Sequence, residues 1–65
     1  MRIMLNGEFV TTKERTLEGL LLEQGYEGMV VATALNQLFV AIDERSGAQL
    51  KEDCCVEIVA PMQGG

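Results

Sequence analysis

The group best placed to do chemistry in this sequence is a main-chain carboxylate. The chain closes on Gly64-Gly65, behind the apolar run Val56-Glu57-Ile58-Val59-Ala60 and the spacer Pro61-Met62-Gln63. Residues without side chains cost entropy to order and pack against nothing. Residues 61–65 are therefore expected to form a flexible tail that presents the Gly65 carboxylate. Such a carboxylate can be the reactive group of the whole protein. Glycine lets a backbone pass a narrow opening with little steric cost, and Pro61 to Gly65 extended reach roughly 17 Å at about 3.4 Å per residue.

Cys54 and Cys55 are the other candidates. Neighbouring Cα atoms lie about 3.8 Å apart, below the roughly 4.4–6.8 Å usual for a disulfide. On a strand the two thiols would also face opposite ways. The chain has no His, and two thiols leave a four-ligand zinc site incomplete. They are expected to be ordinary reduced residues in a reducing compartment, with no bound metal. A redox or metal-binding mini-domain built on Cys54-Cys55 is the alternative.

Sixty-five residues, 48% of them hydrophobic, suit one small folded domain. No apolar run reaches the roughly 18 residues that span a bilayer, and no charged-then-apolar leader opens the chain. A soluble, cytoplasmic protein that meets no membrane is expected. Ten acidic residues against five basic ones give a net charge of -5. This weighs against nucleic acid, where Lys and Arg neutralise phosphate. It suits a partner with a basic docking surface, and equally well it keeps a small domain soluble.

The elements that must position the tail follow from local pattern. Asn6-Gly7 between Ile3-Met4-Leu5 and Glu8-Phe9-Val10 signals a hairpin with a type I′ turn. A two-residue turn pairs Leu5 with Glu8, Met4 with Phe9 and Ile3 with Val10. Ile3, Leu5 and Val10 then share one face and Met4 and Phe9 the other. Thr16 suits an N-cap, and Leu17, Leu20 and Leu21 form an apolar stripe on a helix of some nine residues ended by Gly25. Gly19 sits inside it, either tolerated or marking close approach to a neighbouring backbone. A third strand is expected over Val30–Leu35 and a fourth over Leu38–Ile42, joined at Asn36-Gln37. This second hairpin echoes the first: Leu35-Asn36-Gln37-Leu38-Phe39-Val40 against Leu5-Asn6-Gly7-Glu8-Phe9-Val10. A polar stretch from Asp43 to Asp53 turns at Ser46-Gly47 and is anchored by Leu50. Cys54 through Ala60 forms the last strand, with Val56 and Ile58 on one face, and Pro61 ends pairing. The order β-β-α-β-β-β describes an α+β domain over 1–60, one helix laid on a sheet of four or five strands.

Several segments resemble the ThiS family of sulfur carriers of thiamine (thiazole) biosynthesis, which has the β-grasp, ubiquitin-like fold. They are Leu5-Asn6-Gly7-Glu8, Thr16-Leu17 with Leu20-Leu21, Ala34-Leu35-Asn36 with Val40, and most specifically Val56 through Gly65. The resemblance runs over essentially the full length of the chain. The chain departs from the family's usual Gly-Asp before the last strand, having Asp53-Cys54, and from its Pro-Arg after the fourth, having Ala41-Ile42.

The resemblance implies a carrier and protein substrate rather than an enzyme. An E1-like adenylating enzyme of the ThiF type would use ATP to adenylate the Gly65 carboxylate. Sulfur from a donor such as a cysteine desulfurase would convert it to a thiocarboxylate, and thiazole synthase (ThiG type) would take the sulfur. No tightly bound cofactor is implied, the ATP being used by the activating partner. Gly65 would supply the reacting atom and Gly64 the clearance, while Met62 and Gln63 would line the partner's channel or serve as spacers. Met4 and Phe9 would offer a docking face, the alternative being that this face is covered within the domain or by an oligomer. A molybdopterin-type or other ubiquitin-like carrier is the nearest alternative.

Overall fold

A computed structural model of the chain describes residues 1–60. Five strands and one α-helix follow in the expected order: β1 (Arg2–Leu5), β2 (Glu8–Thr11), α1 (Leu17–Glu23), β3 (Ala32–Leu35), β4 (Leu38–Val40) and β5 (Cys55–Val59). A 3-10 helix, Ile42–Gly47, intervenes before β5.

The strands make one mixed sheet in the order β2-β1-β5-β3-β4. The last strand in sequence is thus the central one. It runs parallel to β1 and antiparallel to β3. This is the β-grasp arrangement implied by the resemblance.

The first hairpin has the register read from its turn: Ile3 opposite Val10, Met4 opposite Phe9 and Leu5 opposite Glu8. Asn6 and Gly7 both have positive φ, at 50° and 86°, as a type I′ turn requires. The second turn is built the same way, with Asn36 at 51° and Gln37 at 70°. Gln37 holds a conformation that suits a side chain poorly.

Thr16 caps α1, its hydroxyl accepting from the Gly19 N–H at 3.1 Å. Gly25, at φ 86°, follows the C-cap Gln24. The helix has seven residues rather than nine, the outer two positions being its caps. Leu17, Leu20 and Leu21 are buried with Ile3, Val56, Ile58, Val40, Val31, Leu50 and Cys54 in one core. A side chain at Gly19 would meet the Glu14 carboxylate and the Thr16 hydroxyl, so no neighbouring backbone explains this glycine.

Two strand limits differ from expectation. The third strand begins at Ala32 rather than Val30, because the Val31 carbonyl is taken at 2.7 Å by a guanidinium Nη of Arg45 instead of a neighbouring strand. The fourth ends at Val40 rather than Ile42. Ala41 N-caps the 3-10 helix, its N–H donating to the Glu44 carboxylate at 3.2 Å. The polar stretch after it is stitched to the start of α1 and the residues before it: Leu17 N–H donates to the Ala48 carbonyl, and Leu50 N–H to that of Arg15. Leu50 is buried, as its isolated apolar character suggested.

Candidate functional site: the strand that leads to the terminus and the sheet's outer face

Residues 61–65, among them the expected sulfur-bearing Gly65 and its neighbours Gly64, Gln63 and Met62, lie outside the described residues. What the structure shows is how the chain is held up to that point. β5 sits between two neighbours, but β1 reaches only as far as Leu5, opposite Val56. Beyond it the Asn6 side chain takes over the ladder. Its Oδ1 accepts from the Ile58 N–H at 2.9 Å, and its Nδ2 donates to the Ile58 carbonyl at 3.2 Å. On the other side Ile58 lies opposite Thr33, and Val59 opposite Ala32. Ile58 is therefore flanked on both sides two residues before the described chain ends.

The second hairpin repeats the device at the other end of the strand. Asn36 donates its backbone N–H to the Cys55 carbonyl at 2.7 Å, and its Oδ1 accepts from the Cys55 N–H at 2.9 Å. The echoed Leu-Asn pairs thus clamp both ends of β5. Sequence pattern assigned these asparagines to turns alone; the second role follows from a strand whose neighbours are shorter than itself.

Alternation puts one face of the sheet against α1 and leaves the other open. Cross-strand partners share a face, so Phe9, Met4 and Cys55 form one row of the open face. Phe39, Ala34 and Glu57 form another, and Ala32 with Val59 a third. Phe9, Phe39 and Val59 are 57%, 73% and 61% exposed, while Met4 is half-buried. The Arg2 guanidinium stacks on Phe9, 4.5 Å from the ring centre, and pairs with Asp53 at 2.8 Å. The structure thus puts Met4 and Phe9 side by side on the outer face. Sequence pattern missed Phe39, although its place in the echoed motif matches that of Phe9.

Asp53 occupies the position where the resembled family has glycine, and its φ is 66°. Asp tolerates this region better than most residues, and here its carboxylate is also held by Arg2. Cys54 is buried in the core and Cys55 is exposed. They face opposite sides of the sheet. Among the described residues no cluster of three or more His, Cys, Asp or Glu could hold a metal ion, and no helix is long and apolar enough to cross a membrane.

One buried cation was not anticipated. Arg45 is 9% exposed. Its Nε donates to the Thr33 hydroxyl at 3.0 Å and one Nη to the Val31 carbonyl. The Thr33 hydroxyl in turn donates to the Val40 carbonyl at 2.8 Å. The chain joins the 3-10 helix to β3 and β4. Nothing in the spacing around Arg45 signals this.

Comparison with known proteins agrees with the topology. The chain superposes on the crystal structure of a thiamine biosynthesis protein (ThiS) from Geobacter metallireducens with a TM-score of 0.82, covering 100% of both chains at 22% identity. That likeness establishes the fold. No curated protein sequence matches the chain. The model of the ThiS family matches residues 3–65, a span that includes the diglycine end. On that match the chain belongs to the ThiS family, the sulfur carriers its sequence resembles.

Proposed function

We propose that the protein carries sulfur for the thiazole of thiamine, as a thiocarboxylate on Gly65. The observation that supports this most is the family match over residues 3–65, which runs to the terminal glycine. The fold suits the role, since the central strand of the sheet is the element that leads into residues 61–65.

In this reading an activating enzyme of the ThiF type binds the body and takes the chain end. A Gly65 carboxylate oxygen attacks the α-phosphorus of ATP, and pyrophosphate leaves. The acyl-adenylate is then attacked at carbon by the outer sulfur of a persulfide drawn from a donor such as a cysteine desulfurase, and AMP leaves. A second thiol breaks the remaining S–S bond, leaving the thiocarboxylate and a disulfide. Thiazole synthase of the ThiG type accepts the sulfur. The protein's own part is binding and delivery, so the catalytic groups belong to its partners. Gly64 gives clearance, Met62 and Gln63 meet the channel walls, and the outer face with Met4, Phe9 and Phe39 docks the body. An apolar face of this kind is a common protein-binding surface.

Intact-mass measurement tests the proposal. The chain is incubated with ATP, an activating enzyme and a persulfide donor. The expected product is heavier by the exchange of one oxygen for one sulfur, on the fragment containing Gly65. A chain that gains no mass, or gains it with Gly65 deleted, rules the proposal out.

A further inference from the structure

A second surface lies on the helix side, away from the face assigned to docking above. A cavity of about 180 Å³ opens between α1, the loop that leaves it and the 3-10 helix. Leu22, Met29 and Ile42 line it, and each is at least half exposed. Three large apolar side chains gathered at a concavity, outside the core, form a surface suited to contact with another molecule.

The exposed charge around this cavity is acidic. From Thr16 to Glu44 the chain carries Glu18, Glu23, Glu27, Asp43 and Glu44 and no Lys or Arg. Glu18 and Glu27 line the cavity and are exposed. Arg45 lines it too, but this guanidinium is buried and committed to Thr33 and Val31. The basic residues Arg2, Lys13, Arg15 and Lys51 belong to other segments.

These features choose among occupants. A second copy docked groove to groove would press one acidic rim against another. The segment 61–65 would bring the Gly65 carboxylate to a rim that already holds two. A segment with Lys or Arg on either side of an aliphatic residue satisfies both the apolar floor and the acidic rim. We propose that this groove docks a partner protein through such a basic, aliphatic-anchored segment. The inference does not depend on sulfur carriage. It leaves the outer sheet face free, so two partners can hold the body at once.

The test is titration of the ¹⁵N-labelled full chain with a synthetic helical peptide. The peptide has two leucines one turn apart among lysines and arginines; a control replaces both leucines with serine. Amide shifts should cluster at Leu22, Met29 and Ile42. Affinity should fall about tenfold, as for a loss at an interface anchor, in Ile42→Ser and separately in Leu22→Ser. Glu18→Lys with Glu27→Lys should weaken binding as well, and Phe9→Ser should leave it unchanged. Equal binding of the serine control, shifts mapping to Phe9 and Phe39, or no shift at millimolar peptide would overturn the proposal. So would groove resonances that move with protein concentration alone, which would mark a second copy. Groove resonances that move on deletion of residues 61–65 would assign the groove to the chain's own end, with the same result.

Discussion

Gln37 is the residue whose backbone conformation fits its chemistry least. Its φ of 70° completes the second type I′ turn, a geometry in which an L side chain crowds its own carbonyl. Gln37→Gly should stabilise the fold by about 1 kcal/mol. In a domain of this size that raises the melting temperature by roughly 4–8 °C, readable by calorimetry. Arg45 is the opposite case, a residue whose surroundings are built around it. Arg45→Met keeps much of the apolar stem but strips the Val31 carbonyl and the Thr33 hydroxyl of their donor. Leaving a buried acceptor unpaired costs about 1–3 kcal/mol, and the loss should appear as a lower urea midpoint with an unchanged slope. Gln37 already reads in the sequence as a poorer turn residue than Gly7. Arg45 does not stand out, because an arginine beside Glu44 reads as solvated charge until the fold brings Val31 and Thr33 to it.

At the scale of elements, β5 depends on a side chain to complete one of its edges. Asn6→Ala should destabilise the domain by about 1–3 kcal/mol, since both backbone groups of Ile58 lose a partner. Hydrogen exchange should locate the damage: the Ile58 amide should lose protection before that of Val56, which β1 itself covers. The sequence was most legible where one local rule decided the outcome. Asn6-Gly7 determined the first register, Thr16 and Gly25 the helix ends, and the alternation of Val56 and Ile58 the buried face of β5. It was least legible where long-range contacts set the limits. The 3-10 helix has no apolar period to reveal it, and β3 starts late because Arg45 takes the Val31 carbonyl. The outer face was half legible: Met4 and Phe9 follow from hairpin parity, whereas Phe39 joins them only once β5 enters between the hairpins.

For the whole molecule, the outer face carries the clearest consequence of the carrier proposal. Phe39→Ser removes an apolar ring that is largely in solvent. Stability should stay within about 0.5 kcal/mol of the parent, as for most surface changes. The KM of the activating enzyme for the chain should nevertheless rise about tenfold, the cost of losing an aromatic anchor from an interface. Unchanged kinetics would move the docking surface elsewhere on the molecule. The net charge of -5 makes a related demand. Association with a basic partner should slow as salt is raised, because screening weakens long-range attraction.

The asparagine clamps on β5 also have a mechanical meaning. In the proposed carrier role, an enzyme that draws the chain end into a deep site, or releases it, would pull along the axis of the central strand. That pull loads the ladders to β1 and β3 in shear, with many hydrogen bonds sharing it, rather than peeling an edge one bond at a time. Asn6 adds two bonds near the end where the load enters, and Asn36 grips the far end. The body can thus act as a handle that resists tugging on its terminus, and single-molecule extension of Asn6→Ala should show rupture at lower force than the parent.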